Sequence, residues 1–468
     1  MDKKVGKYLK NLKEKWFIPA FSVDLRSLAM FRIVLGLVII YDLFDRSKHF
    51  IAHYTDQGIL TKSVIIDNFT MPSSFSIHLL SGDPRFQAFL FIFSGIIALM
   101  LAFGFLTRFS TVLSWLFAVS LQNSMMHVNF GADVLLKILL FWGIFLPLGE
   151  RFSLDSLFKK SKYPDKYFSF AVVGVMLQIG MMYFFSAIWK FKVGQVWILQ
   201  GEGVSRALNT IFALPSAKFL LSFPELLKIM STFIPFFELL ILPLLLIPEK
   251  KIRIIMIVLL NFMHVSFGIF LNLGIFSLAT FAATLVFLPD FFWKKSRRKP
   301  IRQENSHPVF AFVCIFFILL ALIWNLQTTG FQVMPSPLEK INRLLAFPQN
   351  WNIFSTGITV PGRFFSLTSW SGELKGGSTI YLPNFDEFTY EKPSKETLAS
   401  STNRWTEMRR FIDVSPGREY FAKYICKKWN TQNTENQIVR VQHEMIPINN
   451  VGLKSIYKYD CSRNGDIK

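Results

Sequence analysis

Residues 183–194 read Tyr-Phe-Phe-Ser-Ala-Ile-Trp-Lys-Phe-Lys-Val-Gly, and this stretch decides how the chain is built. It closes a long apolar run that begins at Phe168 and finishes on two cations, Lys190 and Lys192. A run of this kind matches the ~20 residues a helix needs to cross the hydrocarbon core of a bilayer. A charged side chain there is costly unless it reaches the headgroups, finds a partner or faces a polar cavity, which makes it a functional candidate. Lys190 is therefore the first residue to question. A second reading stands beside the functional one, because lysine stems commonly lie along lipid and lift the ammonium to the interface as an anchor.

Composition extends the membrane reading to most of the chain. Of 468 residues, 51% are hydrophobic, 52 are Phe and only 18% are charged, more apolar surface than a soluble domain of this length has use for. The formal charge of +20 does not point to nucleic acid, because the basic residues cluster between apolar runs and lie along no single face. Three cysteines are too few for a disulfide scaffold, and no Cys-x-x-Cys pair suggests zinc. Six lysines precede Trp16, but no short apolar segment with a cleavage site follows, so no removable signal peptide is expected.

On length and apolarity, spans are expected near 28–45, 86–106, 109–126, 132–149, 168–189, 226–247, 252–272, 274–293 and 309–326. The fold class expected is an all-α polytopic membrane bundle of about nine transmembrane helices with a small C-terminal α+β domain. Basic residues mark cytoplasmic loops, and segments 1–27, 107–108, 150–167, 248–251 and 294–308 hold most of those that precede the tail, including Arg297-Arg298-Lys299. Segments 127–131 and 273 hold none, and the longer loops 46–85 and 190–225 hold four each. The expectation is an integral membrane protein, of a bacterial inner membrane in preference to the ER, amino terminus cytoplasmic, with everything after Leu326 extracytoplasmic. Loop 190–225 is apolar in patches and is expected to lie in the interface or dip into the bundle.

Three domains follow: a basic N-terminus over 1–27, the transmembrane domain over 28–326, and the α+β domain over 327–468. In the last, the near-alternation from Phe365 to Trp370 and the segment Glu373–Tyr381 read as a hairpin turning near Lys375-Gly376-Gly377. Asn403–Ile412 and Gly417–Trp429 read as helices and Gln437–Ile446 as a strand. Cys426 and Cys461 both fall on the side expected to be oxidising, and are candidates for a disulfide.

The polar residues in or near the expected spans are Arg32, Asp133, Lys137, Gln178, Glu238, Asn261 and His264. Intramembrane ionisable groups usually face inward and find one another, and Arg32 with Glu238 is one such candidate pair. Asn261 and His264 are three apart and share a helix face; the structural alternative for both is interhelical hydrogen bonding that holds the bundle. His49 and His53 have the i, i+4 spacing of two metal ligands, but no third ligand is recognisable and no metal is expected. No Walker A loop, GxGxxG, His-Glu-x-x-His or GxSxG occurs, which disfavours ATP-driven transport, Rossmann chemistry and the common hydrolases.

These stretches, taken in order, resemble the HTTM (horizontally transferred transmembrane domain) family, which includes the vitamin K-dependent γ-glutamyl carboxylase. The similarity runs over about residues 22–295. It rests on Ser22-Val23-Asp24, Met30-Phe31-Arg32, Tyr54-x-Asp56-x-Gly58, Leu106-Thr107-Arg108 and Phe152-Ser153-Leu154-Asp155. It continues through Tyr183-Phe184 leading to Lys190, then Glu238, and His264 followed by Leu273-Gly274-Ile275-Phe276. The resemblance implies that Lys190 is the base that deprotonates a reduced, vitamin K-like quinone, with His264 as a second catalytic candidate.

Departures limit the implication. The carboxylase has a histidine early in its fourth span, where this chain has Ala132 and Asp133, and its large lumenal region has no counterpart here beyond a tail of some 140 residues. Two functions from different classes remain: a quinone-dependent membrane enzyme acting on a lipophilic or exported peptide substrate, and a non-catalytic factor for export, maturation or immunity whose tail binds a partner. They differ in whether Lys190, Glu238 and His264 converge on one cavity. A secondary transporter ranks last, since Pro235 and Pro243 interrupt a single span and no half-repeat is visible. The partners expected are the lipid bilayer and such a quinone or exported peptide, with a partner for the tail in the second reading, and none is a nucleic acid.

Overall fold

The computed structural model describes Tyr8 and residues 11–70, 74–158, 165–293, 302–303, 308–331, 333–355, 365–385, 387–399, 402–448 and 455–463. The basic run Arg297-Arg298-Lys299 and most of the N-terminal lysines lie outside the described residues. In chain order the bundle is built from α1 (Leu25–Ser47), α2 (Pro84–Phe103), α3 (Thr107–Ser124), α4 (Gly131–Phe145), α5 (Phe170–Lys192), α6 (Pro224–Leu246), α7 (Lys250–Phe270), α8 (Phe276–Thr284) and α9 (Pro308–Thr328). Six of these, α1, α2, α5, α6, α7 and α9, are long and apolar enough to cross a membrane. The other three stand where spans were expected but fall short of that standard: α3 is less apolar, α4 has 15 residues, and α8 with its following turn covers only Phe276–Phe287.

Local chemistry sets the helix limits. The Asp24 carboxylate accepts from the Arg26 backbone N–H at 2.9 Å to open α1, and Asp83 caps α2 ahead of Pro84, whose missing N–H costs nothing at a first helical position. A carboxylate from a distant loop opens α3. Asp155 accepts from the N–H groups of Leu106 and Thr107 at 2.9 and 2.8 Å and from the Thr107 hydroxyl at 2.6 Å. Two motifs that are 48 residues apart in the chain therefore form one cap.

At that end of the bundle a small sheet ties three segments together. Strands β1 (Val23–Asp24), β2 (Lys166–Phe168) and β3 (Arg302–Gln303) lie in the order β1-β2-β3, the first pair antiparallel and the second parallel. All three come from segments the basic residues assign to one side. At the opposite end the other group of loops meets the C-terminal tail: Asn403 Nδ2 donates to the Asn272 carbonyl at 2.9 Å, and Thr402 Oγ1 and His49 Nε2 are 3.1 Å apart.

The tail contributes a short helix, α10 (Ser336–Leu344), and the strands β4 (Ser366–Leu374) and β5 (Thr379–Tyr381). Helices α11 (Asn403–Ile412) and α12 (Gly417–Gln432) follow, then β6 (Ile438–Pro447) and β7 (Ser455–Asp460). The sheet is antiparallel in the order β5-β4-β6-β7, with β4 and β6 in register from Ser366 opposite Pro447. The hairpin, both longer helices and β6 stand where the sequence places them; α10 and β7 are additions. Cys426 on α12 and Cys461 after β7 are disulfide-bonded, with Cα atoms 5.8 Å apart across a separation of 35 residues.

The change in composition after Leu326 does not mark a break in packing. One hydrophobic cluster runs from Trp142 in the bundle to Trp370 and Phe421 in the tail. The connecting segment after α10 inserts Gln349 among bundle side chains: Gln178 Nε2 and Trp351 Nε1 donate to its Oε1 at 2.6 and 2.9 Å, and Trp324 Nε1 donates to its carbonyl at 2.8 Å.

Candidate functional site

On α5, Tyr183, Ser186 and Lys190 have the i, i+3, i+7 spacing that puts them on one helix face. That face meets α6. The close approach has a cause in Gly180, where a Cβ would stand 2.2 Å from Leu242 Cδ1. Lys190 Nζ donates to Glu238 Oε1 at 3.0 Å and Oε2 at 2.9 Å, and to Ser186 Oγ at 2.7 Å. Lysine and glutamate are 3% and 5% exposed, so this is a desolvated amine–carboxylate contact and not a snorkelling anchor. Lys192, two residues on, is exposed; it donates to the Thr329 carbonyl and lies over the rings of Trp189 and Phe331.

Two turns back along α5, the Tyr183 hydroxyl and His264 Nε2 of α7 are 2.8 Å apart. His264 is buried, and its Nδ1 has no hydrogen-bond partner among the described residues. Its ring packs 5.6 Å from that of Phe276. Phe276 in turn lines a cavity of about 630 Å³ between the bundle and the tail. The walls are largely apolar and carboxamide, with Phe130, Phe354, Trp324, Asn129, Gln349 and Asn403 among the lining residues, and they carry the ion pair Glu407–Arg410. Lys190 lies behind the same cavity by another route, since the Trp197 ring is 5.3 Å from Nζ and Trp197 Nε1 donates to the carbonyl of Phe354 at 3.0 Å. Lys190–Glu238 and Tyr183–His264 thus share one face of α5, and neither pair lines the cavity: Phe276 stands between it and His264, and Trp197 followed by Phe354 between it and Lys190.

The remaining candidates have structural posts. Arg32 does not meet Glu238. Its guanidinium donates to the carbonyls of Leu148 at 2.9 Å, Arg151 at 3.3 Å and Phe152, binding the turn after α4 to α1 at the far end of the bundle. Sequence spacing carried no register between distant helices, and so paired Glu238 with the wrong cation. Asn261 donates to its own helix at Ile257 O and to Thr284 Oγ1 of α8 at 3.1 Å. The His49 and His53 rings pack against Trp405 at 5.6 and 4.5 Å.

Asp133 belongs to a second buried constellation that sequence reasoning missed. Arg46 Nε donates to Asp42 Oδ2 at 2.9 Å and Arg46 Nη2 to Asp133 Oδ1. From the tail, Arg404 donates to Asp133 Oδ2 at 2.7 Å and to Asp42 Oδ1, while Arg46 Nη1 donates to the Tyr54 hydroxyl at 2.7 Å. Two carboxylates and two guanidiniums balance. All four are buried. The signal available beforehand was the i, i+4 spacing of Asp42 and Arg46 inside an apolar helix. Nearby, His127 stacks on Phe411 of α11 with centroids 3.9 Å apart; burial pushes the imidazole down to about 4, so it docks as a neutral ring.

A helical bundle with several spans, a buried amine–carboxylate pair and an ion cluster that clasps an appended sheet domain defines a polytopic membrane protein. More specifically, the chain belongs to the HTTM family: residues 21–292, more than half of its length, match the HTTM domain. Comparison with curated proteins finds no significant match, and neither does comparison with solved structures.

Proposed function

We propose that this chain is a membrane enzyme that uses Lys190 and Glu238 to take a proton from a lipophilic reduced-quinone substrate, as its resemblance to γ-glutamyl carboxylase implies, with an exported peptide as second substrate. The observation that supports it is the amine held between both oxygens of a buried carboxylate and a hydroxyl at 2.7–3.0 Å, with Trp197 and Phe354 between it and a cavity. In that state the ammonium is no base. A proton passed to Glu238 would leave the amine free to accept the proton of a substrate hydroxyl. The cavity's apolar walls and carboxamides suit a flat ring with polar oxygens. A bound reduced quinone would supply the acidic hydroxyl and the electrons; the chain's own part is to orient it, exclude water and hold the proton at Nζ.

The test uses the purified protein in proteoliposomes, following consumption of a vitamin K-type hydroquinone in the presence of oxygen. Lys190→Ala and Lys190→Arg should each slow it about 100-fold or more, because guanidinium keeps its proton, and Lys192→Ala should leave it unchanged. Undiminished turnover in Lys190→Arg sinks the reading. The non-catalytic factor for export, maturation or immunity then takes its place, favoured by a tail that is docked through Arg404 and walls the cavity.

The reading includes nine crossings of a bacterial inner membrane, amino terminus inside and tail outside, motivated by the distribution of basic residues. A phosphatase fused after Lys468 should be active and a fluorescent protein at the same point dark. The reverse pattern would put the tail in the cytoplasm.

A further inference from the structure

We infer that the 195–221 segment is a lid over Lys190, that Trp197 is the part of it covering the amine, and that the tail latches it shut through the carbonyl of Phe354. The segment is three short helical pieces, Gln195–Leu199, Gly203–Ala207 and Ala217–Leu221. Its apolar side chains do not join the main core. Val196, Trp197, Val204, Leu208, Ala217 and Leu220 form a separate cluster with Leu227, Ile234, Leu271 and Phe365, the kind of satellite that lies under a long loop. Such a unit opens at the cost of its contacts with Leu227 and Ile234 of α6, Leu271 and Phe365, while the main core stays closed.

Trp197 is held from three directions. One side of its ring meets Gly203, where a Cβ would stand 2.3 Å from Trp197 Cδ2. Another faces Lys190 Nζ at 5.3 Å, and the indole N–H donates to Phe354 O at 3.0 Å. Phe354 has φ +49, a left-handed conformation that a non-glycine residue holds only when its surroundings impose it. The same residue lines the cavity. A ligand seated there bears on the residue whose carbonyl holds Trp197, so occupancy of the cavity and exposure of Lys190 are coupled. The lid is attached elsewhere at its middle, where Val204 N–H donates to Ser231 Oγ of α6 at 2.9 Å, and at its far edge, where Leu214 N–H donates to Phe270 O and Asn272 N–H to Phe212 O. That leaves the stretch ahead of Val204, which carries Trp197, as the moving part.

The experiment reads access and needs no turnover, so its failure is distinct from failure of the enzymatic reading on which the lid's purpose rests. Ser186→Cys puts a thiol where Ser186 Oγ lies 2.7 Å from Lys190 Nζ, and the neighbouring ammonium favours the reactive thiolate. The full chain in proteoliposomes is treated with N-ethylmaleimide and the modified peptides are quantified. Ser186→Cys alone should label slowly. Adding Trp197→Ala should speed labelling about 10-fold or more, and adding Trp197→Phe, which keeps a benzene ring and loses the five-membered ring with its N–H, should also speed it severalfold. Buried Cys314 is the internal control: it should stay unlabelled in every variant, and its labelling marks a variant that has lost its fold. Should Trp197→Ala fail that control, the phenylalanine variant decides. Fast labelling of Ser186→Cys alone means there is no cover. Labelling of the Trp197→Phe variant as slow as its parent means the tail does not latch it. Either result overturns the inference.

Discussion

Asp133→Asn should leave a chain that inserts in the membrane but does not hold its tail. The substitution strands Arg46 and Arg404 in the protein interior with Asp42 as their single remaining carboxylate, and breaking a buried ionic contact by removing one partner costs about 3–5 kcal/mol. Limited proteolysis should cut between α9 and α11 at enzyme concentrations the parent resists, and thermal unfolding in detergent should come at a lower temperature. The informative comparison is with Asp133→Asn combined with Arg404→Met. That pair removes one charge of each sign and leaves Asp42 bonded to Arg46 at 2.9 Å, so it should regain more than half of the loss. Additive losses in the two variants would show that the cluster is not electrostatically closed.

The second large effect separates what the Lys190–Glu238 contact does for folding from what it does for chemistry. Lys190→Met leaves a buried carboxylate and Glu238→Gln a buried ammonium, and each should cost about 3–5 kcal/mol of stability. The double variant leaves no buried charge and should fold nearly as well as the parent. Turnover should not follow stability. If Lys190 is the proton acceptor and Glu238 its reservoir, all three variants should be inactive toward a hydroquinone, the well-folded double variant included. Activity in the double variant would assign the contact to bundle assembly alone. Size-exclusion profile, unfolding temperature and hydroquinone consumption measured on the same preparations decide it.

How much of this could be read beforehand follows the range of the information. Apolar length placed helices at all the expected stretches, because the 1.5 Å rise per residue and the bilayer thickness act within one segment. Grouping loops by basic residues sorted them into the two ends the structure has, since that signal needs only loop composition. Side-chain pairing across helices carries no such local mark. Lys190 and Glu238 each stand out in the sequence, yet nothing in it marks their contact, and Arg32, the candidate partner of Glu238, instead binds carbonyls near Leu148. Arg404 was passed over for the same reason: it stands in a polar stretch where a cation is unremarkable, and its partners Asp42 and Asp133 lie 362 and 271 residues earlier. The tail read as a free-standing domain because composition changes at its start, whereas Gln349, Trp351 and Arg404 reach back into the bundle.

That long separation matters while the chain is being made. Ribosomes deliver α1 and α4 hundreds of residues before α11, so newly inserted helices carry Asp133 with one guanidinium where the finished protein gives it two. Until Arg404 arrives the half-built bundle has a net negative charge in its interior and an uncovered aromatic surface around His127. Docking of α11 neutralises the one and covers the other in a single event. The last third of the polypeptide is thus a molecular seal on the first two, and a chain cut short before residue 404 presents quality-control proteases with the features that mark an unfinished membrane protein.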